Sequence, residues 1–90
     1  MIRTRPNDSD SVTVALQALA VSLGDEARAS RLLDLTGLTA DDLRRRAAEP
    51  AVLVAVLRFL EEHEPDLIDV ADTLGVKPQE LVAARNALEA

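Results

Sequence analysis

The residues best equipped for chemistry in this chain are crowded into one short stretch, Glu61-Glu62-His63-Glu64-Pro65-Asp66. An imidazole among carboxylates can hold a divalent cation. His63 is the only histidine, however, and the chain has no cysteine, so a metal site would lack a second nitrogen or sulfur ligand. Neighbouring residues on a helix also point apart. A histidine near a helix C-terminus is favoured there simply as a cation. Catalysis has as little to draw on. There is no thiol nucleophile and no glycine-rich phosphate loop. Ser22 and Ser30 fall in helical stretches with no histidine placed to activate them. The expectation is a protein that is not an enzyme and carries no metal or cofactor.

What remains is charge and surface. The formal net charge is −6, and it is unevenly spread. Acids and bases balance at seven each over residues 1–46, whereas residues 47–90 hold nine acids and three bases. The acidic run suggests a docking face for a basic partner through Glu61, Glu62, Glu64 and Asp66. Arg44-Arg45-Arg46 is the one basic cluster inside the fold, and consecutive helical positions splay too widely to share one ligand. Its plain reading is a solvated last turn with cations near a helix C-terminus. Its sharper reading is a patch, built on Arg44 and Arg45, for an acidic protein surface.

The stretch Leu67-Ile68-Asp69-Val70-Ala71-Asp72-Thr73-Leu74-Gly75-Val76 resembles the first helix and turn of a helix-turn-helix, completed by a second helix to about residue 86. In a DNA reading, Lys77, Gln79, Ala83 and Asn86 would face the bases. The helix that should cross the phosphate backbone carries Glu64, Asp66, Asp69 and Asp72 and no cation. Nucleic-acid affinity comes mainly from neutralised phosphates, so a nucleic-acid partner is disfavoured.

The elements that would position these groups read as helices throughout. Fifteen leucines with many alanines and valines, one Phe and no Trp or Tyr describe a core of small and γ-branched side chains. Apolar positions recur at helical spacing between glycine stops. Residues 1–8, with Arg3, Arg5 and Pro6, are polar and unpatterned and read as a flexible arm, leaving 9–90 as a single domain. Helix one runs to Leu23 with a stripe of Val12, Leu16, Leu19, Ala20 and Leu23, and Gly24 ends it. Helix two runs from Glu26 to Leu35 with Leu32, Leu33 and Leu35 inward, and Gly37 stops it. Thr39 and Asp42 form a capping box for helix three. Pro50 opens helix four, which runs to about His63 and should be the most buried. Pro65 and Pro78 open helices five and six.

The order of two arginines before an apolar stretch has the outline of a signal peptide, but Asp8, Asp10, Gln17 and the amphipathic pattern count against one. The run from Ala51 to Leu57 is too short to cross a bilayer. The expectation is a cytoplasmic protein without a membrane segment.

Sliding the chain by 38 positions lays Val14 on Val52, Glu26 on Glu64, Gly37 on Gly75 and Leu43 on Leu81. Two readings stand. Either the fold is two pseudo-repeated three-helix units with helices one and four paired at the centre, or two leucine-rich halves align by chance.

Val14-Ala15-Leu16-Gln17-Ala18-Leu19-Ala20, then Leu35-Thr36-Gly37-Leu38 and Leu43-Arg44, with Glu49-Pro50 before the run ending Phe59-Leu60, resemble domain-of-unknown-function family 3572. That family consists of short proteins of alphaproteobacteria. The resemblance covers nearly the whole chain after residue 10. It implies a compact helical cytoplasmic protein and carries over no catalytic or binding residues.

The expectations are therefore an all-α bundle of about six short helices, with a helix-turn-helix-like corner at residues 67–86. Its function is protein–protein interaction with a partner of unknown identity, and a DNA-associated helix-turn-helix is the alternative. Leu60, Ile68 and Val82, if exposed, would offer an apolar patch for a homodimer.

Overall fold

A computed structural model describes residues 8–90, and among these there are six helices and no strand. They are α1 (Asp8–Leu23), α2 (Glu26–Thr36), α3 (Ala40–Arg46), α4 (Pro50–Glu62), α5 (Glu64–Leu74) and α6 (Pro78–Glu89). The arm read over residues 1–8 lies outside the described residues, except that Asp8 already belongs to α1.

With so few large side chains, the core closes only if helices approach one another closely. α1 makes that possible. Its most buried face is Ser11, Ala15, Ala18 and Ser22, a row of small side chains, with Leu19 beside it. The Ser22 hydroxyl, fully buried, donates to the Ala18 carbonyl oxygen at 2.8 Å and so leaves no unmet polar group in the seam. α6 and α4 lie along α1, and α2 and α5 close the bundle around them. α4 is the most buried helix, contributing Val52, Leu53, Val56, Leu57, Phe59 and Leu60 to the core.

Local signals set the boundaries as expected. Thr39 Oγ1 accepts from the Asp42 amide at 3.0 Å while the Asp42 carboxylate accepts from the Thr39 amide at 2.9 Å, a reciprocal cap for α3. Gly75 adopts φ 74° and ends α5, with Val76 N–H reaching the Ala71 carbonyl at 3.0 Å. Gly37 ends α2 in the same left-handed state, φ 77°.

Three expectations need correction. Leu35 does not face inward; it is 62% exposed on the last turn of α2, and Arg28 completes the buried face instead. Ala20 and Leu23 are exposed because α3 does not cover their side of α1. The apolar patch of Leu60, Ile68 and Val82 does not exist as a unit. Leu60 is fully buried and Val82 half-buried, leaving only Ile68 out.

The 38-residue correspondence is present in the helices. Each bound of α2 maps onto the matching bound of α5, and the start of α3 maps onto the start of α6. The match fails at the start of α1, which falls at position 46 on that offset where α4 begins at Pro50, and at the end of α3, which stops after seven residues where α6 continues for twelve.

A Cβ on Gly75 or Gly37 would meet nothing within 4 Å, so the cost of Ala at either position is the left-handed backbone alone. Gly75→Ala and Gly37→Ala are each expected to lower stability by about 1 kcal/mol in urea unfolding. A loss several times larger would mean that these glycines serve packing as well.

Candidate functional site

Two of the four acids proposed as a docking face are engaged within the molecule. Asp66, at the start of α5, is only 7% exposed. Its Oδ1 accepts from Arg28 Nε at 2.9 Å, and its Oδ2 accepts from Arg31 Nη2. Arg28 in turn donates through Nη2 to Asp69 Oδ2 at 2.7 Å. Asp66 is therefore corrected from a partner-facing acid to a strut between α2 and α5. Glu61 is likewise occupied, accepting from Arg85 Nε and Nη2 at 2.8 Å each. Glu62 and Glu64 remain exposed.

The Arg28 cluster has an internal symmetry. Arg28 and Asp66 are 38 positions apart and so occupy equivalent places in the two halves. The same offset carries Arg31 onto Asp69. Exchanging the halves therefore turns the Arg31–Asp66 pair into the Arg28–Asp69 pair and leaves Arg28–Asp66 in place. A three-pair cluster that maps onto itself favours the repeat over a chance alignment of two leucine-rich halves.

His63 sits in the link between α4 and α5. Its Nδ1 is 2.8 Å from the Phe59 carbonyl oxygen, and its ring lies 4.8 Å from that of Phe59. Among the described residues no group of three or more His, Cys, Asp or Glu is arranged to hold a metal ion. Nor is any helix among them long and apolar enough to cross a membrane.

At the helix-turn-helix-like corner, Lys77, Gln79, Ala83 and Asn86 are all exposed. The surrounding charge is not available to phosphates. Arg85 is held by Glu61 and Glu89, and Arg85 also donates to the Asn86 side-chain oxygen at 2.9 Å. Arg58 donates to Glu89 at 2.8 Å through Nε.

The surface that stands out was not singled out in the sequence. α1, α2 and α3 enclose an apolar groove of about 430 Å³. The α1 side presents Leu16, Leu19, Ala20 and Leu23, and the facing wall is Leu33 of α2 with Leu43 of α3. That volume falls in the range of ordinary binding clefts. Arg44 is the one charged side chain that lines it. Arg44 and Arg45 are 75% and 77% exposed and share a single carboxylate, Asp41, at 3.8 and 3.4 Å.

A family model described as protein of unknown function (DUF3572) matches residues 8–90. The chain belongs to that family. No curated protein and no solved structure matches it. In this DUF3572 member the Thr36-Gly37-Leu38 motif has a structural explanation. Thr36 Oγ1 donates to the Leu32 carbonyl at 2.6 Å and accepts from the Leu38 amide at 3.2 Å, so the three residues form one helix-ending turn.

Burial opposes the charge on Asp66, but the hydrogen bonds from Arg31 and Arg28 outweigh it and hold the carboxyl below its usual range. A depressed folded-state pKa stabilises fully above the ordinary aspartate value near pH 4, and that stability is lost as pH falls through the folded value. Asp66→Asn is expected to cost about 2 kcal/mol at pH 7. The deficit should shrink on acidification below about pH 4. Asp69→Asn, on the exposed side of the cluster, should cost under about 1 kcal/mol. Chemical denaturation at pH 7 and pH 3 measures all three, and equal costs at 66 and 69 would refute the strut.

Proposed function

We propose that this DUF3572 member is a non-catalytic protein-interaction module whose docking surface is the groove between α1 and α3. The observation that carries the reading is the exposed apolar wall of α1. Leu23 is 41% exposed, and Ala20 and the half-buried Leu16 sit beside it in one stripe. Apolar surface gathered in a cleft is characteristic of binding sites, whereas scattered exposed leucines are ordinary. The acidic face of α4 and α5 contributes less, because Glu61 and Asp66 already have intramolecular partners. Glu62 and Glu64 remain to tune the approach of a partner electrostatically.

The DNA reading finds little support. Among the described residues, Lys77 is the one cation in the turn and α6 outside an ion pair. A single phosphate contact gives little affinity at physiological salt.

Two experiments test the proposal. A photo-crosslinking amino acid at position 20, in cells that make the protein, is expected to trap a discrete protein adduct that the same probe at position 72 does not. No adduct at 20, or the same adducts from both positions, would overturn the groove reading. Titration of labelled duplex DNA at low and moderate salt is expected to show no salt-steepened binding. Tight binding whose logarithmic salt slope reaches about −4 would instead establish the helix-turn-helix alternative.

A further inference from the structure

The internal pseudo-symmetry supplies a template for what the groove accepts. The α1 residues Leu16, Leu19, Ala20 and Leu23 correspond, at the 38-residue offset, to Val54, Leu57, Arg58 and Glu61 of α4. On α4 that stripe is occupied. α6 lies along it, Leu57 is fully buried, and the helix is clasped by the Arg58–Glu89 and Glu61–Arg85 pairs. The helix that corresponds to α6 at this offset is α3, and it faces α1 across the groove without packing along it. The stretch that would extend it to the length of α6 is consumed by the turn at residues 47–49 and by Pro50, where α4 begins. The half of the stripe nearest Leu23 therefore stays uncovered, and the clasping charges Arg58 and Glu61 are replaced there by Ala20 and Leu23. A surface shaped for helix packing, and lacking ion-pair anchors on its floor, calls for a helix with an apolar stripe.

Charge on the rim specifies the partner further. Asp42 is engaged in the Thr39 cap, and Arg46 is paired with Glu49 at 3.1 Å. Arg44 and Arg45 share Asp41 and are 75% and 77% exposed beside the groove, so their outward donors are open to a partner's carboxylate. A second copy docking groove to groove with its twofold axis beside Arg44 would set these arginines against their own counterparts, which disfavours that arrangement.

We propose that the groove takes a short amphipathic helix from a partner protein, with apolar residues spaced i, i+3 or i+4, i+7 and a carboxylate flanking them to meet Arg44 and Arg45. This rests on the groove being the docking surface and names the chemistry of what docks there.

The probe is a stapled helical peptide of about sixteen residues, long enough to hold helix once constrained. It carries leucines at that spacing and flanking glutamates, and a twin peptide has lysines in place of the glutamates. Binding is read by fluorescence anisotropy, and the site by amide chemical-shift mapping. The glutamate peptide is expected to bind about tenfold more tightly than the lysine peptide and to shift Leu19, Ala20, Leu23 and Leu43. The double variant Arg44→Glu/Arg45→Glu, with its fold checked by the amide spectrum, is expected to reverse that order.

Equal binding of the two peptides, or shifts confined to other helices, would overturn the inference. If adducts still form at position 20 in that case, the groove reading survives and only the partner's chemistry is wrong. Concentration-dependent dimerisation abolished by Ala20→Glu would overturn it in favour of a second copy. Decanoate shifting the groove amides while both peptides stay silent would overturn it in favour of a small amphiphile.

Discussion

The bundle depends on how closely α1 can approach its neighbours. A core built almost wholly from Leu, Val and Ala, with one aromatic, has few bulky spacers, so the helices must approach one another closely. The Ser11, Ala15, Ala18 and Ser22 face of α1 permits this, and the inward-turned Ser22 hydroxyl makes it polar-neutral. A bulky side chain on that buried face would push α1 away from the helices packed against it. The remaining helices are then disposed by short, strongly specified turns.

Around this centre the two halves repeat in form and differ in charge. α2 and α5 share length, boundaries and a left-handed glycine stop, yet the first carries Arg28 and Arg31 where the second carries Asp66 and Asp69. The seam between the halves is thereby closed by three ion pairs, one of them nearly free of solvent. The third helix breaks the likeness. α6 is long enough to be clasped onto α4, whereas α3 ends early and leaves a trough alongside α1.

Much of the architecture was readable from residue types. Glycine and proline punctuation, the Thr39–Asp42 box and the apolar periodicity locate all six helices to within a residue or two. Side-chain environments were harder. The sequence treats Asp66 and Glu61 as members of an acidic run, because local charge density says nothing about an arginine 38 or 24 positions away in the chain. Arg28 and Leu35 exchanged their expected places for the same reason, since an arginine is buried only when a distant carboxylate awaits it. One clue was present in the alignment of the halves, where opposite charges stand at equivalent positions. The trough left no such mark, because it results from α3 ending early and not from any unusual residue.

The reversal of sign between the halves has a bearing on assembly. If two copies of the first half were mated as the two halves are now, Arg28 would confront Arg28 and Arg31 would have no acid opposite. Two copies of the second half would bring Asp66 against Asp66 in the same way. Each half is thus fitted to its complement and repelled by its own kind. This steers a first half toward a second half and away from another first half when many copies are close together.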